Sequence, residues 1–474
     1  MATTRISHLW RAALAALALA GAGCATTSIR SDLDRVRDLT RMPIPSAVAT
    51  ERVDATTAAD VSDLLRQPLT ADAAVRIALL NNRELRASLR ELGVARGRLV
   101  QAGLLPNPEI EVDLRHQQDR EQPLQAEILV EYDLTRALLA PKRADVARAD
   151  LEAARYRAAA AVVETGYEVR AAFYGLQAAL ARLGIAVRAL DAFAAARDAA
   201  SALFEAGNVP ELDVATQEAA YQSARATVAQ LELAVLDRRE QVQRLLGLHG
   251  DATGWTAAAA LPPVPADLDL PAGIERRALL ASIELAELRS RLEAIARRTG
   301  LARTEGWLPD ISVDVHAEQD GPTWEVGGGA RFTLPVFDRN QGTVAAHEAE
   351  FDALMERYHG AAIDLRSAAR EARNRLLAAY ARARQYHEII VPARRRVVEQ
   401  TLLQYNAMQI GVFQLLQARR EELDAELAHV GALHDFWTAR AALDTLLAGR
   451  RVGMSPAAAS PTGLAGSPEA SGGH

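Results

Sequence analysis

Ten histidines and one cysteine are the side chains of this 474-residue chain best suited to nucleophilic or metal chemistry, and their spacing supports neither. His116, His316, His347, His359, His387, His429 and His434 are scattered, and none falls into a ligand motif of the HExxH kind. His347 and His359 share a helical stretch but not a helix face. Gly327-Gly328-Gly329 lies inside a strand pattern and opens no helix, so it reads as room for packing rather than a phosphate cradle. No catalytic residue, metal or cofactor is expected. What the sequence does offer is charge in strict alternation. Glu109, Glu111 and Asp113 alternate with Ile110, Val112 and Leu114; Glu131 and Asp133 alternate with Val130, Tyr132 and Leu134; Asp314 stands between Val313 and Val315. Period-two alternation predicts strands with one polar and one apolar face. If the polar faces border water in a pore, these six acids favour cation passage, although polar side chains are what any wet lumen requires.

The elements that must position those acids occur twice. Leu105-Pro106-Asn107-Pro108-Glu109-Ile110-Glu111-Val112-Asp113 returns as Leu308-Pro309-Asp310-Ile311-Ser312-Val313-Asp314, and Arg155-Tyr156 returns as Arg357-Tyr358. A repeat this long marks a duplicated structural unit. Each unit reads helix, strand, strand, very long helix, turn, helix. In the first, a helix capped by Thr70 runs to Gly103, followed by a hairpin joined through Gln117–Pro123. A proline-free stretch from Lys142 to Phe204 carries Val169, Leu176, Leu183 and Leu190 at every seventh position, with Phe173, Leu180 and Val187 beside them. This heptad seam predicts a coiled-coil rod of roughly 95 Å. A return helix spans Asp213–Leu246. The return helix and the first helix together match the long one to within a turn, so the two are expected to stack end to end beside it. The second unit repeats this with a hairpin joined through Gln319–Thr323, a long helix over Gly342–Tyr405 and a return helix over Phe413–Leu447.

The divisions follow: a signal peptide over 1–23, an extended N-terminal segment over 24–68, repeats over 69–250 and 272–449, a linker over 251–271 and a disordered tail over 450–474. Arg5 and Arg11 precede the apolar run Ala12–Ala22, which is too short for an ordinary spanning helix. Ala20-Gly21-Ala22-Gly23-Cys24 resembles a bacterial lipoprotein signal, with Gly21 where such signals usually carry leucine. Cys24, the only cysteine, then carries lipid, palmitate included, and no intrachain disulfide can form. The net charge of -7 and the absence of a basic, aromatic-laced stripe exclude nucleic acid as a partner. Four amphipathic strands cannot stand alone in a bilayer with open edges, so the chain is expected to oligomerise.

Read together, these features resemble the TolC-type outer-membrane factors, in a lipoprotein subgroup, from about Leu69 to Gly449. The residues that carry the likeness are Leu105-Pro106-Asn107-Pro108, Trp307-Leu308-Pro309, Leu334-Pro335-Val336-Phe337-Asp338 and the turn from Tyr405 through Ala418. The resemblance implies a mainly α fold with β hairpins. It implies a homotrimer that joins a twelve-stranded barrel in the outer membrane of a Gram-negative bacterium to a long periplasmic α-helical coiled-coil barrel. It implies passive conduction of small molecules or metal ions, powered by an inner-membrane pump of the RND type and linked by a periplasmic adaptor. Adaptor contact and a gate are then expected at the turns, at Gly207, Pro210 and Asp213 and at Gly411, Gln414 and Gln417. Family members often place acids where this chain has Gln414 and Gln417, a departure that weighs against a charged gate. The Tyr405–Phe413 turn resembles that of relatives in heavy-metal efflux, copper among them. The alternative is a periplasmic adaptor lipoprotein, which has one helical hairpin where this chain has two. A purely structural coiled-coil lipoprotein would need no duplicated hairpins.

Overall fold

The computed structural model describes residues 27–42, 55–115, 125–258, 260–320 and 323–453. The signal peptide, Cys24, the first hairpin connection and all but the first residues of the tail lie outside them. The first repeat contains α3 (Ala71–Asn81), α4 (Arg83–Gly103), β1 (Glu109–Arg115), β2 (Gln125–Asp133), α5 (Leu134–Glu205) and α6 (Glu211–Leu246), preceded by α1 (Arg30–Thr40) and α2 (Ala55–Leu65). The second contains α7 (Ile274–Ala281), α8 (Ile283–Glu305), β3 (Asp310–Asp320), β4 (Thr323–Thr333), α9 (Gln341–Gln385), α10 (Val391–Asn406) and α11 (Val412–Leu447). The chain divides into two compact units that cut across the repeats. Among the described residues, one holds 27–35, 90–155 and 287–356; the other holds 36–89, 156–286 and 357–453.

In the first unit the strands form one antiparallel sheet in the order β1-β2-β3-β4. Thr135 ties its base: the hydroxyl donates to the Pro309 carbonyl at 2.9 Å and accepts from the Ile311 amide at 2.7 Å. Beside it Lys142, the only lysine, donates to Thr304 at 2.6 Å.

The N-terminal segment corrects the expectation of extended chain, because it holds two helices. The α1 helix forms because Leu33 and Val36 fall three apart on one face and are both buried. Asp32, fully buried, sits one residue before them. It accepts from Arg96 at 2.7 and 3.0 Å and from Arg155 at 2.7 and 2.9 Å, so its charge is matched by two guanidinium groups.

In the second unit α9 and α11 pack along a core of Leu365, Ala369, Leu376, Phe436, Leu443 and neighbours. Further expectations are corrected. The helix from Thr70 to Gly103 is broken at Asn82, whose backbone is extended (φ -61°, ψ 122°). Asn82 caps α4 through the Leu85 amide at 2.8 Å and donates to the Leu245 carbonyl at 2.8 Å, while Asn81 donates to the Leu246 and Gly247 carbonyls. The end of the return helix therefore meets the α3–α4 break rather than the start of α3. The second repeat builds the same joint, where Ser282 caps the Leu285 amide at 3.1 Å and the Ile283 amide donates to Gly449 at 2.9 Å.

The long helix α5 starts at Leu134, eight residues earlier than expected, and runs for 72 residues with Pro141 inside it. Pro141 is the eighth residue of the helix and leaves the carbonyl four residues before it without its usual amide donor. Its heptad seam is buried at Val169, Phe173 and Leu176, but Val187 is 41% exposed, and Ile185 and Ala189 take over. A straight helix drifts about 20° per heptad, so a strict seven-residue row cannot stay inside. The second long helix is interrupted by one π turn, Tyr386–Ile390, just before Pro392 near the start of α10. Proline lacks the donor and its ring crowds the preceding turn, and the wider π turn relieves both.

Candidate conducting face and helical turns

The register fixes which side chains share a face. Glu109 pairs with Glu131, Glu131 with Asp314, Asp133 with Ser312 and Asp314 with Gly329. Alternation along each strand then puts Glu109, Glu111, Asp113, Glu131, Asp133 and Asp314 on one face of the sheet. All six expected acids are brought together there. Arg115 and Arg331 are the basic partners among the described residues: Arg115 lies 2.8 Å from Asp113 and 3.5 Å from Glu127, and Arg331 lies 3.4 Å from Glu131. Asp133 has a local task as well, because it accepts from the Arg136 amide at 2.7 Å and caps α5.

The opposite face is apolar and uncovered. Ile110 is 67% exposed and Val326 73%, and Val112, Leu114, Val315, Trp324 and Phe332 are exposed with them. Contiguous apolar surface of this kind is rare on soluble monomers. No helix among the described residues is long and apolar enough to cross a membrane. The exposed apolar face of this sheet is of a kind that lipid can cover.

The glycine run of β4 acquires a specific reason. Gly329 lies opposite Asp314 and Gly327 opposite His316. A Cβ at Gly329 would stand 2.5 Å from Asp314 Oδ1, and one at Gly327 would stand 2.4 Å from His316 Nε2. The Asp314 carboxylate and the His316 ring, 3.3 Å apart, lie across the bare backbone of β4 on the polar face. The sequence singled out Asp314 without His316. Two glycines spaced two apart in a strand were the available signal.

At the turns, chain reversal accounts for most of the expected residues. Gly207 (φ +73°) ends α5, its amide donating to Phe204 and that of Asn208 to Leu203. Pro210 precedes α6, and the Asp213 amide donates to its carbonyl at 3.0 Å. In the second repeat Met408 takes the left-handed place (φ +56°) and is 94% exposed. Sequence reasoning missed it, because the pattern there favours glycine and the repeats differ at this position. Gln414 Oε1 accepts from the Gly411 amide at 2.6 Å and so closes its own helix start. Gln417 is exposed, donates to Glu421 at 3.1 Å, and lines a cavity of about 180 Å³ with Phe193, Thr216 and Phe413. Among the described residues, no cluster of three or more histidine, cysteine or acidic side chains is arranged to hold a metal ion.

The chain is a duplicated helix–hairpin–helix unit with one sheet face polar and the other bare and apolar. The chain belongs to the outer membrane efflux protein family, whose model matches twice, at residues 74–248 and 275–449. It is similar to the cobalt-zinc-cadmium resistance protein CzcC of Cupriavidus metallidurans, with 26% identity over 392 residues covering 80% of this chain and 90% of the relative. Its fold is that of CusC, solved in a study of folding and transmembrane channel formation (TM-score 0.68, 15% identity, 86% of this chain and 98% of the other). The Campylobacter jejuni CmeC outer membrane channel has the same fold (TM-score 0.67, 17% identity, 80% of this chain and 86% of the other). The chain is thus an efflux protein of the outer membrane and not an enzyme.

Proposed function

We propose that this chain is the exit duct of a tripartite efflux system, a homotrimer whose three four-stranded sheets close into one twelve-stranded barrel. It conducts substrate passively from the periplasm, receives it from an inner-membrane pump of the RND type through a periplasmic adaptor, and is tethered to the outer membrane by lipid on Cys24. The observation that carries this reading is the sheet: a polar face and an apolar face in strict register, with both edges open. Open edges are not tolerated in hydrocarbon, and closure needs more strands than one chain supplies. The similarity to CzcC, a cobalt-zinc-cadmium resistance protein, supports transition-metal cations as cargo. The acid-rich polar face agrees with cation passage. The turn residues Gly207, Pro210, Asp213, Gly411, Gln414 and Gln417 are the proposed adaptor contacts and constriction, the last two acting as polar rather than charged groups. The test is reconstitution of detergent-extracted protein into planar bilayers, with its mass measured by light scattering. Discrete cation-preferring conductance is expected from a particle of three mature chains, each lighter than the 51.0 kDa full-length chain by its signal peptide. A monomer that leaves the bilayer silent refutes the duct and returns the adaptor reading.

A further inference from the structure

Two histidines meet where the long helix of the second repeat is interrupted. His387 lies in the π turn Tyr386–Ile390, and His429 faces it from α11. The ring centroids stand 5.4 Å apart, with the planes tilted by 34°. His387 is exposed, whereas His429 is half-buried. Nε2 of His429 is closed off from solvent and has no hydrogen-bond partner among the described residues. The acids nearest in sequence are engaged elsewhere. Glu388 binds Arg384 at 2.8 Å, and Glu426 is held by Arg188 at 2.7 Å and by Arg395 at 3.1 Å. The seam beside the two rings is apolar: Ala383 and Val391 on one side and Ala425 and Ala432 on the other are buried. An enclosed ring nitrogen in such a seam is unfavourable until something occupies it. Single π turns are frequent at functional sites, and although Pro392 accounts for the turn itself, it does not account for the paired rings.

We infer that His387 and His429 form a two-imidazole clamp for a divalent transition-metal cation, which ties the π turn to α11. Imidazole suits zinc, copper and nickel ions, whereas magnesium and calcium take oxygen ligands. The spacing fits this chemistry. A zinc ion lies about 2.0–2.1 Å from an imidazole nitrogen, and so about 3.2 Å from the ring centroid; two such arms at the tetrahedral angle put the centroids about 5.2 Å apart. The observed 5.4 Å is within a few tenths of an ångström of that span. The exposed His387 ring can turn to complete the geometry while the enclosed His429 ring stays in place. With its proton on Nδ1, His429 offers the unpartnered Nε2 as the ligand atom. Water fills the remaining positions, because no third histidine, cysteine or acidic side chain among the described residues is placed to join. Two protein ligands make an open site, unlike the four-ligand sites that hold a structural zinc. The clamp needs one chain only, so it stands apart from the trimeric reading.

The experiment is calorimetric titration of the untagged, detergent-extracted protein, first stripped with chelator, with zinc chloride and in parallel with copper(II) chloride. One Zn²⁺ per chain is expected, with Cu²⁺ bound more tightly at the same site. Losing an outer-shell partner already costs a metal site about 10–100-fold, so His387→Gln and His429→Gln should each weaken binding by at least about tenfold. His359→Gln, which removes an exposed histidine of α9, should leave it unchanged. Because His387 is exposed, its variant is expected to keep the fold, and equal circular dichroism of the metal-free proteins checks this. Amide exchange places the ion: over residues 384–392 it should slow about a hundredfold when Zn²⁺ stands at about 100 times its Kd, and should not slow in either variant. Equal Zn²⁺ binding by His387→Gln and the parent would mean adventitious surface histidines only and overturn the inference. So would a parent that binds neither ion more tightly than about millimolar, which would leave water as the occupant. A protein that conducts but fails these titrations keeps the duct reading and loses the clamp; one that passes them but leaves the bilayer silent does the reverse.

Discussion

Replacing Asp32 with asparagine removes one negative charge from a site that water does not reach. The carboxylate is fully buried, while Arg96 and Arg155 keep about a fifth of their side chains exposed. Deleting one partner of a buried ion pair costs about 3–5 kcal/mol, because the remaining charge stays desolvated. Asparagine keeps one acceptor oxygen and recovers about 1 kcal/mol of hydrogen bonding. It also forfeits a first-turn acid at the start of α1, about 0.3–1 kcal/mol. The balance is a loss of about 3 kcal/mol, or roughly a hundredfold in the local opening equilibrium. Amide hydrogen exchange over residues 30–35, followed by mass spectrometry on the detergent-extracted protein, reads this directly. Exchange there should accelerate by about two orders of magnitude, as 1.4 kcal/mol is tenfold. The control is Asp38→Asn, an exposed acid on the same helix, which should change stability by less than about 0.5 kcal/mol. Equal exchange in the two variants would refute the claim that Asp32 pins the N-terminal helix.

Two other perturbations have outcomes set by the geometry. Gly449 has φ +101°, and a Cβ there would stand 2.2 Å from the Ala281 carbonyl, so Gly449→Ala should destabilise by at least about 2 kcal/mol and lower the thermal midpoint; an unchanged midpoint would show that the α7–α8 joint yields freely. Burial holds the His429 imidazole below its usual range, with neighbouring His387 and Arg395 lowering it further and Glu426 opposing them. A depressed histidine pKa means that the unfolded chain binds the proton more readily, so this contribution is fully present above about pH 6.5 and is lost as pH falls through the window below it. Thermal midpoints measured across that window should fall with acidification in the parent and fall less in His429→Gln; parallel profiles would remove His429 from the explanation.

The sequence was most legible where a side-chain period meets a single burial boundary. Strand alternation placed all six acids on one face, because a shift of one residue would turn every one of them over. The turns were legible for a similar reason, since Gly207 and Pro210 are restricted by backbone geometry alone. What escaped depends on distant partners. Asp32 on a short polar helix looks like any surface acid until Arg96 and Arg155 arrive from 64 and 123 residues away. Asn82 reads as mid-helix, and only the arriving end of α6 makes a break there favourable. His316 carries no signal of its own, and its place is written in the missing side chains of another strand.

The four-stranded sheet has a consequence for the order of events in the cell. A lone chain entering hydrocarbon would carry two rows of unpaired amide and carbonyl groups, at β1 and at β4, each unsatisfied group costing several kcal/mol. Its apolar face, left in water, is equally unfavourable. Neither solvent suits the single chain, so in the proposed trimer burial in lipid and closure of the ring proceed as one cooperative event. The rate of membrane entry should then rise more steeply than linearly with the local density of chains, and tethering the chains to a surface before entry raises that density without any change in the sheet itself.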